Sequence, residues 1–288
     1  MMRSANRVVV TLTVILTVQF MVSDRRLWAD PPPPLRVLLI TGGCCHDYAT
    51  QKDLLKKGLE ERAHVVVDQV HCQDRSTAPP LEIFGNPDYA QGYDVVIHDE
   101  CAAAISDPQT IAAVLAPHRA GIPGVNLHCA MHSYRIGPPA EPAARGTERA
   151  MWFEYLGVQS SAHGPKEPIE VATVDESHPI IAHLSWRKWL TGNEELYNNI
   201  QLYPTATPLQ HGAQQVTNRR GESRTERAVV TWVNDYRGTR VFSTTLGHFN
   251  ETVADDRYLD LVAVGVLWAC DQLNEHYLKS PTEPEESP

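Results

Sequence analysis

Short apolar runs alternate with longer amphipathic stretches through the first half of the chain. The runs are rich in Val, Ile and Leu, which is typical of buried strands, and they lie at residues 36–41, 64–70, 93–98 and 121–128. Of the stretches between them, 50–62 places leucines on one helical face and 108–119 begins with an Asp-Pro cap. This alternation predicts an α/β fold with a mainly parallel, doubly wound sheet in the strand order 2-1-3-4.

The second half of the chain has a different pattern. Residues 169–174 alternate between apolar and polar positions, as a half-buried strand does. Residues 227–245 contain two strand-like runs, and the turn residues 235–238 between them predict a hairpin. A long amphipathic stretch at 258–277 predicts the last helix. The predicted α/β domain therefore spans residues 35–277.

The first 29 residues have the pattern of a secretory signal peptide. Arg3 and Arg7 precede an apolar stretch at 8–22, and Ala29 is a suitable cleavage position. A transmembrane anchor is the competing interpretation, but the stretch is short for a span and contains threonines and a glutamine. We therefore expect residues 1–29 to direct export to the periplasm or the extracellular space, where the protein is soluble once the leader is removed.

The remaining terminal segments are predicted to lack regular structure. Residues 30–34 are mostly proline and predict a stiff spacer, whereas the acidic, proline-rich residues 278–288 are typical of a disordered tail. The whole chain has a formal net charge of −10, which becomes −13 when residues 1–29, with four arginines and one aspartate, are removed. Such an acidic protein is not expected to bind nucleic acid or anionic membranes.

Six cysteines are present, which is too few for a disulfide scaffold in a chain of 288 residues. Cys101, Cys129 and Cys270 lie in apolar settings, so we expect buried free thiols at these positions. A disulfide between the adjacent Cys44 and Cys45 is an alternative that its strained geometry disfavours.

Histidines occur at or just after the ends of three predicted strands, at positions 46, 98 and 128. Because ligands bind at the carboxyl ends of strands in open α/β sheets, these imidazoles predict a polar, metal-binding site at that edge. His132 follows His128 by four residues, so the two would share a face if a helix followed the strand. Asp99 adds a carboxylate, and imidazole with carboxylate suits zinc, manganese or iron.

Later segments supply candidates for proton transfer. His248 follows the strand-like run that ends at residue 245, which would bring its imidazole to the same sheet edge. His163 is a further imidazole, and Glu194 and Glu195 lie in a cluster of polar and aromatic residues. These side chains are the types that carry general acid and base chemistry.

Cys129 is an alternative centre of chemistry. It lies where a strand is predicted to turn into a helix, which is the position of a nucleophile elbow. The flanking Leu127 and Met131 replace the glycines that make such an elbow tight. A buried thiol is therefore the preferred interpretation.

Aromatic side chains near carboxylates are typical of sugar-binding clefts, although aromatic residues more often pack in the core. The candidates for substrate binding are Trp152, Tyr197, Trp232 and Asp99.

An ordered set of motifs runs through the predicted domain. It comprises Leu127-His128-Cys129-Ala130-Met131-His132-Ser133, Trp152-Phe153-Glu154-Tyr155-Leu156-Gly157, His163-Gly164, His178-Pro179-Ile180, Asn193-Glu194-Glu195-Leu196-Tyr197, Val230-Thr231-Trp232 and Arg240-Val241-Phe242-Ser243-Thr244-Thr245-Leu246-Gly247-His248. In these motifs the chain resembles the ThuA-like (trehalose utilisation) family over about residues 35–275. The resemblance implies a flavodoxin-like three-layer sandwich of the class I glutamine amidotransferase type. It also implies a role in sugar catabolism beside dehydrogenases that make 3-keto-sugars.

The resemblance also points to site residues. Carried over by motif, they are His46, His128, His132, His163, His248 and one of the glutamates Glu194 and Glu195. Cys129 falls roughly where the amidotransferase fold places its nucleophile. The glutamine, glycine and His-x-Glu pair that accompany that nucleophile are missing here, so glutaminase activity is not expected.

The sequence thus predicts an exported enzyme of sugar catabolism that performs metal-assisted hydrolysis or elimination of a glycoside or 3-keto-glycoside. The expected ligands of the divalent metal are His46, His128 and His132. The expected catalytic residues are Glu194, Glu195, His163 and His248. Two alternatives stay open, namely a non-catalytic carbohydrate-binding protein on the same fold and a hydrolase that depends on Cys129.

Overall fold

In the part of the chain that the structure describes, nine strands form a single mixed sheet in the order β2-β1-β3-β4-β9-β8-β7-β5-β6. The computed structural model describes residues 32–218 and 220–279. In these residues the strands are β1 (Leu35–Gly43), β2 (Val65–Cys72), β3 (Val95–Cys101), β4 (Gly124–Leu127), β5 (Val158–Thr173), β6 (Lys188–Leu202), β7 (Ala206–Thr217), β8 (Ser223–Tyr236) and β9 (Thr239–Thr244). The helices are α1 (Tyr48–Arg62), α2 (Pro108–Val114), α3 (Ala116–Arg119), α4 (Met151–Leu156), α5 (Pro179–Ala182), α6 (Asn250–Val253) and α7 (Asp256–Ala269), and 3₁₀ turns occupy Glu82–Gly85, His128–His132 and Glu148–Ala150.

The sheet has a parallel half and an antiparallel half. The predicted order 2-1-3-4 is confirmed, and β9 extends this parallel half beside β4. The prediction of a mainly parallel sheet is only partly right, because the pairings among β9, β8, β7, β5 and β6 are all antiparallel. For the consecutive pairs β7–β8 and β8–β9 the reason is the short connection between the strands. A turn as short as the predicted hairpin at 235–238 leaves no room for the crossover that a parallel pair needs.

Two layers of helices cover the parallel half. Alternate residues of β1 point to opposite faces, so Val37 and Leu39 pack with α1 and α7, whereas Leu38 and Ile40 pack with α2 and α4. Both faces are apolar because both are buried, which is why this strand is a continuous apolar run in the sequence. The α/β fold class and the three-layer arrangement predicted from the sequence are therefore confirmed.

Two predicted helices are shorter than expected. The helix predicted at 108–119 is divided into α2 and α3, and Pro117 explains the division because it has no N–H to continue the helical ladder. The helix predicted at 258–277 ends at Ala269, and Asp271 has a positive φ of 57° that a helix cannot include.

The predicted terminal segments lie mostly outside the described residues. Residues 1–31 and 280–288 are not described, so the predicted signal peptide and most of the predicted tail remain predictions. The first two residues of that tail contact the domain, since Leu278 pairs with Ala63 and the Lys279 N–H donates to the Arg62 carbonyl at 2.9 Å. Across the described residues, no helix is long and apolar enough to span a membrane.

Two glycines let β1 end close to its neighbours. Gly42 and Gly43 have φ values of +139° and +93°. A Cβ at residue 43 would lie 2.1 Å from the carbonyl oxygen of Cys101, at the end of β3. Only glycine satisfies both the positive φ and this close approach, and the chain then turns toward His46.

We expect Gly43→Ala to lower the free energy of unfolding more than Gly121→Ala. Gly121 also has a positive φ, of +102°, but nothing lies within 4 Å of the position that a Cβ would occupy there. Gly121→Ala should therefore cost about 1 kcal/mol from backbone strain alone. Gly43→Ala should cost roughly 2 kcal/mol more, because the methyl group collides with β3. Equal losses in chemical denaturation would contradict the close approach of the two strands.

Candidate functional site

Three histidines converge at the carboxyl edge of the parallel half of the sheet. His46 follows β1, His128 follows β4 and His248 follows β9. One side-chain nitrogen from each lies within 4.8 Å of the other two. All three side chains are buried, so they meet in a site that is largely closed to water. We call this group the histidine centre.

Backbone carbonyls fix the tautomers of two of these rings. His128 Nδ1 lies 2.6 Å from the Thr245 carbonyl oxygen, and His46 Nδ1 lies 3.3 Å from that of His248. A carbonyl oxygen only accepts hydrogen bonds, so each Nδ1 carries the proton and each Nε2 keeps its lone pair. This is how metal-binding histidines are usually held in proteins. The third ring presents its Nδ1, which is 3.3 Å from His128 Nε2.

A carboxylate from β6 closes the histidine centre. Glu195 Oε2 lies 3.5 Å from both His128 Nε2 and His248 Nδ1. Its other oxygen lies 3.5 Å from His163 Nδ1 and 3.8 Å from Lys166 Nζ. The side chain of Glu195 is 6% exposed, whereas those of His163 and Lys166 are 42% and 50% exposed. Solvent therefore approaches the centre from the side of His163 and Lys166.

Burial and neighbouring charges shift the pKa values of these groups. Burial, with added repulsion from the other two rings, lowers the pKa of His46 to about 2. Burial and the His128 ring lower the pKa of His248 to about 4. For Glu195, burial would raise the pKa, but its contact with His128 and its electrostatic interactions with His128, His248 and His163 outweigh burial and lower the pKa to about 2. At neutral pH the lowered pKa values leave His46 and His248 neutral and Glu195 ionised, and these are protonation states that bind metal ions.

Glu194 and Gln51 hold the loop that carries His248. Both carboxylate oxygens of Glu194 accept the backbone N–H of His248, at 3.0 and 3.2 Å. Gln51 Nε2 donates to the carbonyl of the same residue at 3.1 Å. The sequence singled out Glu194 as catalytic, but its described contacts are those of a positioning residue. Gln51 was missed, although it lies four residues before Leu55 and so places a polar side chain on the apolar face of the predicted helix.

His132 is not part of the histidine centre. The helix expected after β4 is instead a 3₁₀ turn, in which residues three apart eclipse and residues four apart diverge. His128 also has a positive φ of 40°, which turns it away from its neighbours in the chain. His132 Nε2 pairs with Ser160 Oγ at 2.9 Å, and its ring stacks on Tyr197 with centroids 4.2 Å apart. His248 is the third member of the histidine group, a place that we expected His132 to take.

Tyr197 is the one predicted substrate-binding residue that lies at the centre. Its hydroxyl is 3.4 Å from His128 Nε2, and its ring is buried between the rings of His128 and His132. The two tryptophans are core residues. Trp152 and Trp232 are fully buried, and their indole N–H groups donate to backbone carbonyls at 2.8 and 2.7 Å.

Two predicted site residues on β3, Asp99 and His98, are not among the three residues of the histidine centre. Asp99 is buried, and burial with the nearby Glu100 carboxylate raises its pKa well above the usual range. His98 lies on the opposite face of the sheet from α1, where its Nδ1 is 2.9 Å from Glu100 Oε1 and its Nε2 is 3.0 Å from His118 Nε2. The alternation of side chains along β3 thus removes His98 from the edge where we expected it.

Cys129 lacks the partner that a nucleophile needs. Its thiol lies 2.7 Å from the sulfur of Cys101, and both residues are buried. A cysteine nucleophile is activated by an adjacent base, most often an imidazole. The described hydrogen bond of Cys129 is to another thiol, which does not favour a Cys129-dependent hydrolase.

Two open surface cavities lie away from the histidine centre. One has a volume of about 370 Å³ and is lined by residues that include Glu167 and Arg227. The other has a volume of about 660 Å³ and is lined by residues that include Arg145 and Tyr203. Neither lining includes a histidine of the centre or Glu195, so the chemistry is concentrated in a tighter, more buried place.

Comparisons with known proteins agree with this fold. The family model described as ThuA, trehalose utilisation, matches residues 36–269. A ThuA-like protein from Parabacteroides merdae has a similar structure, with a TM-score of 0.61 and 17% identity over 82% of this chain and 90% of that one. A second, from Bacteroides uniformis, has a TM-score of 0.57 and 14% identity over 84% and 93%. At these identities the likeness to solved structures concerns the fold alone. Among curated proteins, none matches the chain in sequence.

We expect the metal-free protein to lose stability as the pH falls from about 6.5 toward about 4. The folded pKa values of His46 and His248 are lowered, so the unfolded chain takes up protons that the buried rings do not. Stability is then complete above the unfolded pKa and decreases with acidity. The slope of the unfolding free energy against pH measures how many more protons the unfolded state binds than the folded state. His248→Gln should reduce that number by up to roughly one, measured by chemical denaturation across this pH range.

His183→Gln is the matched control, because it removes an exposed imidazole outside the centre. If the control and His248→Gln give the same slope as the unaltered protein, the buried ring does not have the lowered pKa that its surroundings indicate.

Proposed function

The chain belongs to the ThuA family, described as trehalose utilisation, and on this premise we propose that it is an exported enzyme of sugar catabolism that uses a divalent metal ion to cleave a glycoside or 3-keto-glycoside. The observation that carries the proposal is the convergence of three imidazole nitrogens beside an ionised carboxylate. Export rests on the leader pattern of residues 1–29, and the substrate class rests on the family.

The donor set of the histidine centre suits zinc, manganese or iron. His46, His128 and His248 would hold the ion through lone pairs that their hydrogen bonds leave free. Three imidazole nitrogens match the ligand types that these ions take in proteins, and the Glu195 carboxylate beside them is left to move a proton. When bound, such an ion supplies Lewis acidity, which polarises a sugar oxygen or lowers the pKa of a water molecule.

Glu195 is the residue best placed to move a proton. It is ionised at neutral pH, and its two oxygens lie between the buried rings and the exposed His163. Glu194 is less suitable, because its oxygens are already occupied by the backbone N–H of His248. We assign proton transfer to Glu195 and the orientation of the His248 loop to Glu194.

A 3-keto-glycoside makes this proton transfer chemically easy. The ketone acidifies the C–H bond next to it, so a carboxylate can remove that proton and form an enolate. The electron pair then expels the glycosidic oxygen, which leaves as an alcohol once it gains a proton. His163 is exposed and lies 3.5 Å from Glu195. It is therefore positioned to pass the proton that Glu195 has removed to solvent or to the leaving oxygen.

The side of approach also fits a sugar. Lys166 lies over the ring of Phe249 at 5.5 Å from its centroid, and both flank the exposed face of the centre with His163. Ammonium, imidazole and aromatic groups can contact the hydroxyls and apolar face of a sugar ring. We therefore assign the substrate to the space between this rim and Glu195.

We expect the purified protein, stripped of metal, to bind Zn²⁺ or Mn²⁺ at the histidine centre. His128→Gln and His248→Gln should each weaken this binding at least about 100-fold, because each removes a direct ligand. Mutation of residues that only hydrogen-bond to a ligand already costs about 10- to 100-fold in metal affinity. His132→Gln should stay close to the unaltered protein, although His132 is as buried as His46. The measurement is isothermal titration with Mn²⁺, which has little affinity for thiols. Equal Mn²⁺ affinity of the three variants would contradict a metal site at the histidine centre.

We expect Glu195→Gln to lower kcat on a 3-keto-glycoside by about 10²- to 10⁴-fold while Mn²⁺ binding is retained. Glu170→Gln, an exposed position on β5, is the control and should not change kcat. The matching glycoside without the ketone should react far more slowly, because it lacks the acidified C–H bond. Sugar binding without turnover of either substrate, with metal present, would instead support the non-catalytic alternative.

A further inference from the structure

Four of the six cysteines lie together beside the histidine centre. We call them the thiol cluster, and its members are Cys44, Cys45, Cys101 and Cys129. They come from three neighbouring strands: two follow the glycines that end β1, one ends β3, and one lies in the turn after β4. From the sequence we expected buried free thiols at Cys101 and Cys129 and considered a disulfide between Cys44 and Cys45. The strand order β1-β3-β4 instead brings all four sulfurs into one place.

The sulfur atoms are close enough to share an ion. Cys101 Sγ lies 3.4 Å from Cys44 Sγ and 2.7 Å from Cys129 Sγ. The sulfurs of Cys44, Cys45 and Cys101 all lie within 4.8 Å of one another. In a tetrahedral zinc site, Zn–S bonds of about 2.3 Å put the sulfurs roughly 3.8 Å apart, which is close to the spacing of the Cys44, Cys45 and Cys101 sulfurs.

The number of thiols distinguishes this cluster from a simple redox pair. A disulfide uses two sulfurs, whereas Cys101 has near neighbours on two sides. The other two cysteines behave differently, since Cys72 and Cys270 each lie 3.8 Å from a backbone carbonyl oxygen. Convergence is thus a property of the cluster and not of cysteines in this chain generally.

The thiol cluster extends from the surface into the interior, beside a buried hydroxyl that has no partner among the described residues. Cys45 is exposed and Cys101 and Cys129 are buried, so the cluster connects solvent with the interior. Tyr48 packs against the two buried cysteines, and its buried hydroxyl has no hydrogen-bond partner among the described residues. Cys45 has a positive φ of 80°, a backbone conformation that a residue other than glycine rarely adopts without compensating contacts.

We propose that the thiol cluster is a second metal site, which binds one zinc-class ion through thiolates and is separate from the histidine centre. Each thiol that binds releases its proton to solvent, and no bond between sulfurs is formed. Cys45 is adjacent to His46, and Cys129 is adjacent to His128. An ion in the thiol cluster therefore joins the ends of β1, β3 and β4 and holds in place the two loops that carry these histidines.

Cobalt titration of the full chain tests this site without relying on activity. Co²⁺ bound by thiolates gives intense charge-transfer absorption in the near ultraviolet, which imidazole and carboxylate ligands do not produce. We expect this absorption with the unaltered protein, its loss on addition of Zn²⁺, and protection of the cluster thiols from a thiol reagent by Zn²⁺. Cys45→Ser, at an exposed position that should fold normally, is expected to weaken the Co²⁺ affinity read from this band by at least about 10-fold.

Two further variants separate this proposal from the histidine centre. Cys72→Ser is the matched control and should keep the full charge-transfer band. His128→Gln should also keep it, whereas Mn²⁺ binding is lost, so failure of one site is distinguishable from failure of the other. The proposal is overturned if the reduced protein gives no thiolate band with Co²⁺, or if Cys45→Ser leaves the band unchanged. It is also overturned if Zn²⁺ does not protect the cluster thiols.

Discussion

The hydrogen bond from His128 Nδ1 to the Thr245 carbonyl is the contact on which the candidate site depends. At 2.6 Å and fully buried, it joins the residues that follow two neighbouring parallel strands, β4 and β9. It fixes the tautomer of His128, so that Nε2 faces Glu195 and His248. Because His128 has a positive φ, the ring reaches this position only where the surrounding packing holds the backbone.

The second constraint is electrostatic and comes from the other half of the sheet. An ionised carboxylate at a buried position is costly unless donors surround it. Glu195, on the antiparallel β6, has imidazoles on its inner side and Lys166 on its outer side. The parallel half thus provides rings and the antiparallel half provides the charge. A chain with only the parallel half would have imidazoles but no carboxylate to complete the site.

Sequence patterns were informative where chemistry follows strand ends and less informative where it depends on side-chain direction. The strand order and the positions of His46, His128 and His248 followed from apolar runs and the edge at which they end. The separation of His132 from His128 depends on one 3₁₀ turn, and spacing alone cannot distinguish that turn from a helix. The burial of Trp152 and Trp232, like the contact with the Thr245 carbonyl, depends on packing between distant segments that leaves no local pattern.

The measurement that tests the central claim most directly is a crystal structure of the zinc-loaded protein with anomalous diffraction at the zinc edge. We predict an anomalous peak at the histidine centre, about 2.0–2.1 Å from Nε2 of His46 and His128 and Nδ1 of His248. A structure in which these nitrogens bond only to one another, with no peak between them at saturating zinc, would contradict the claim that the centre binds a metal ion.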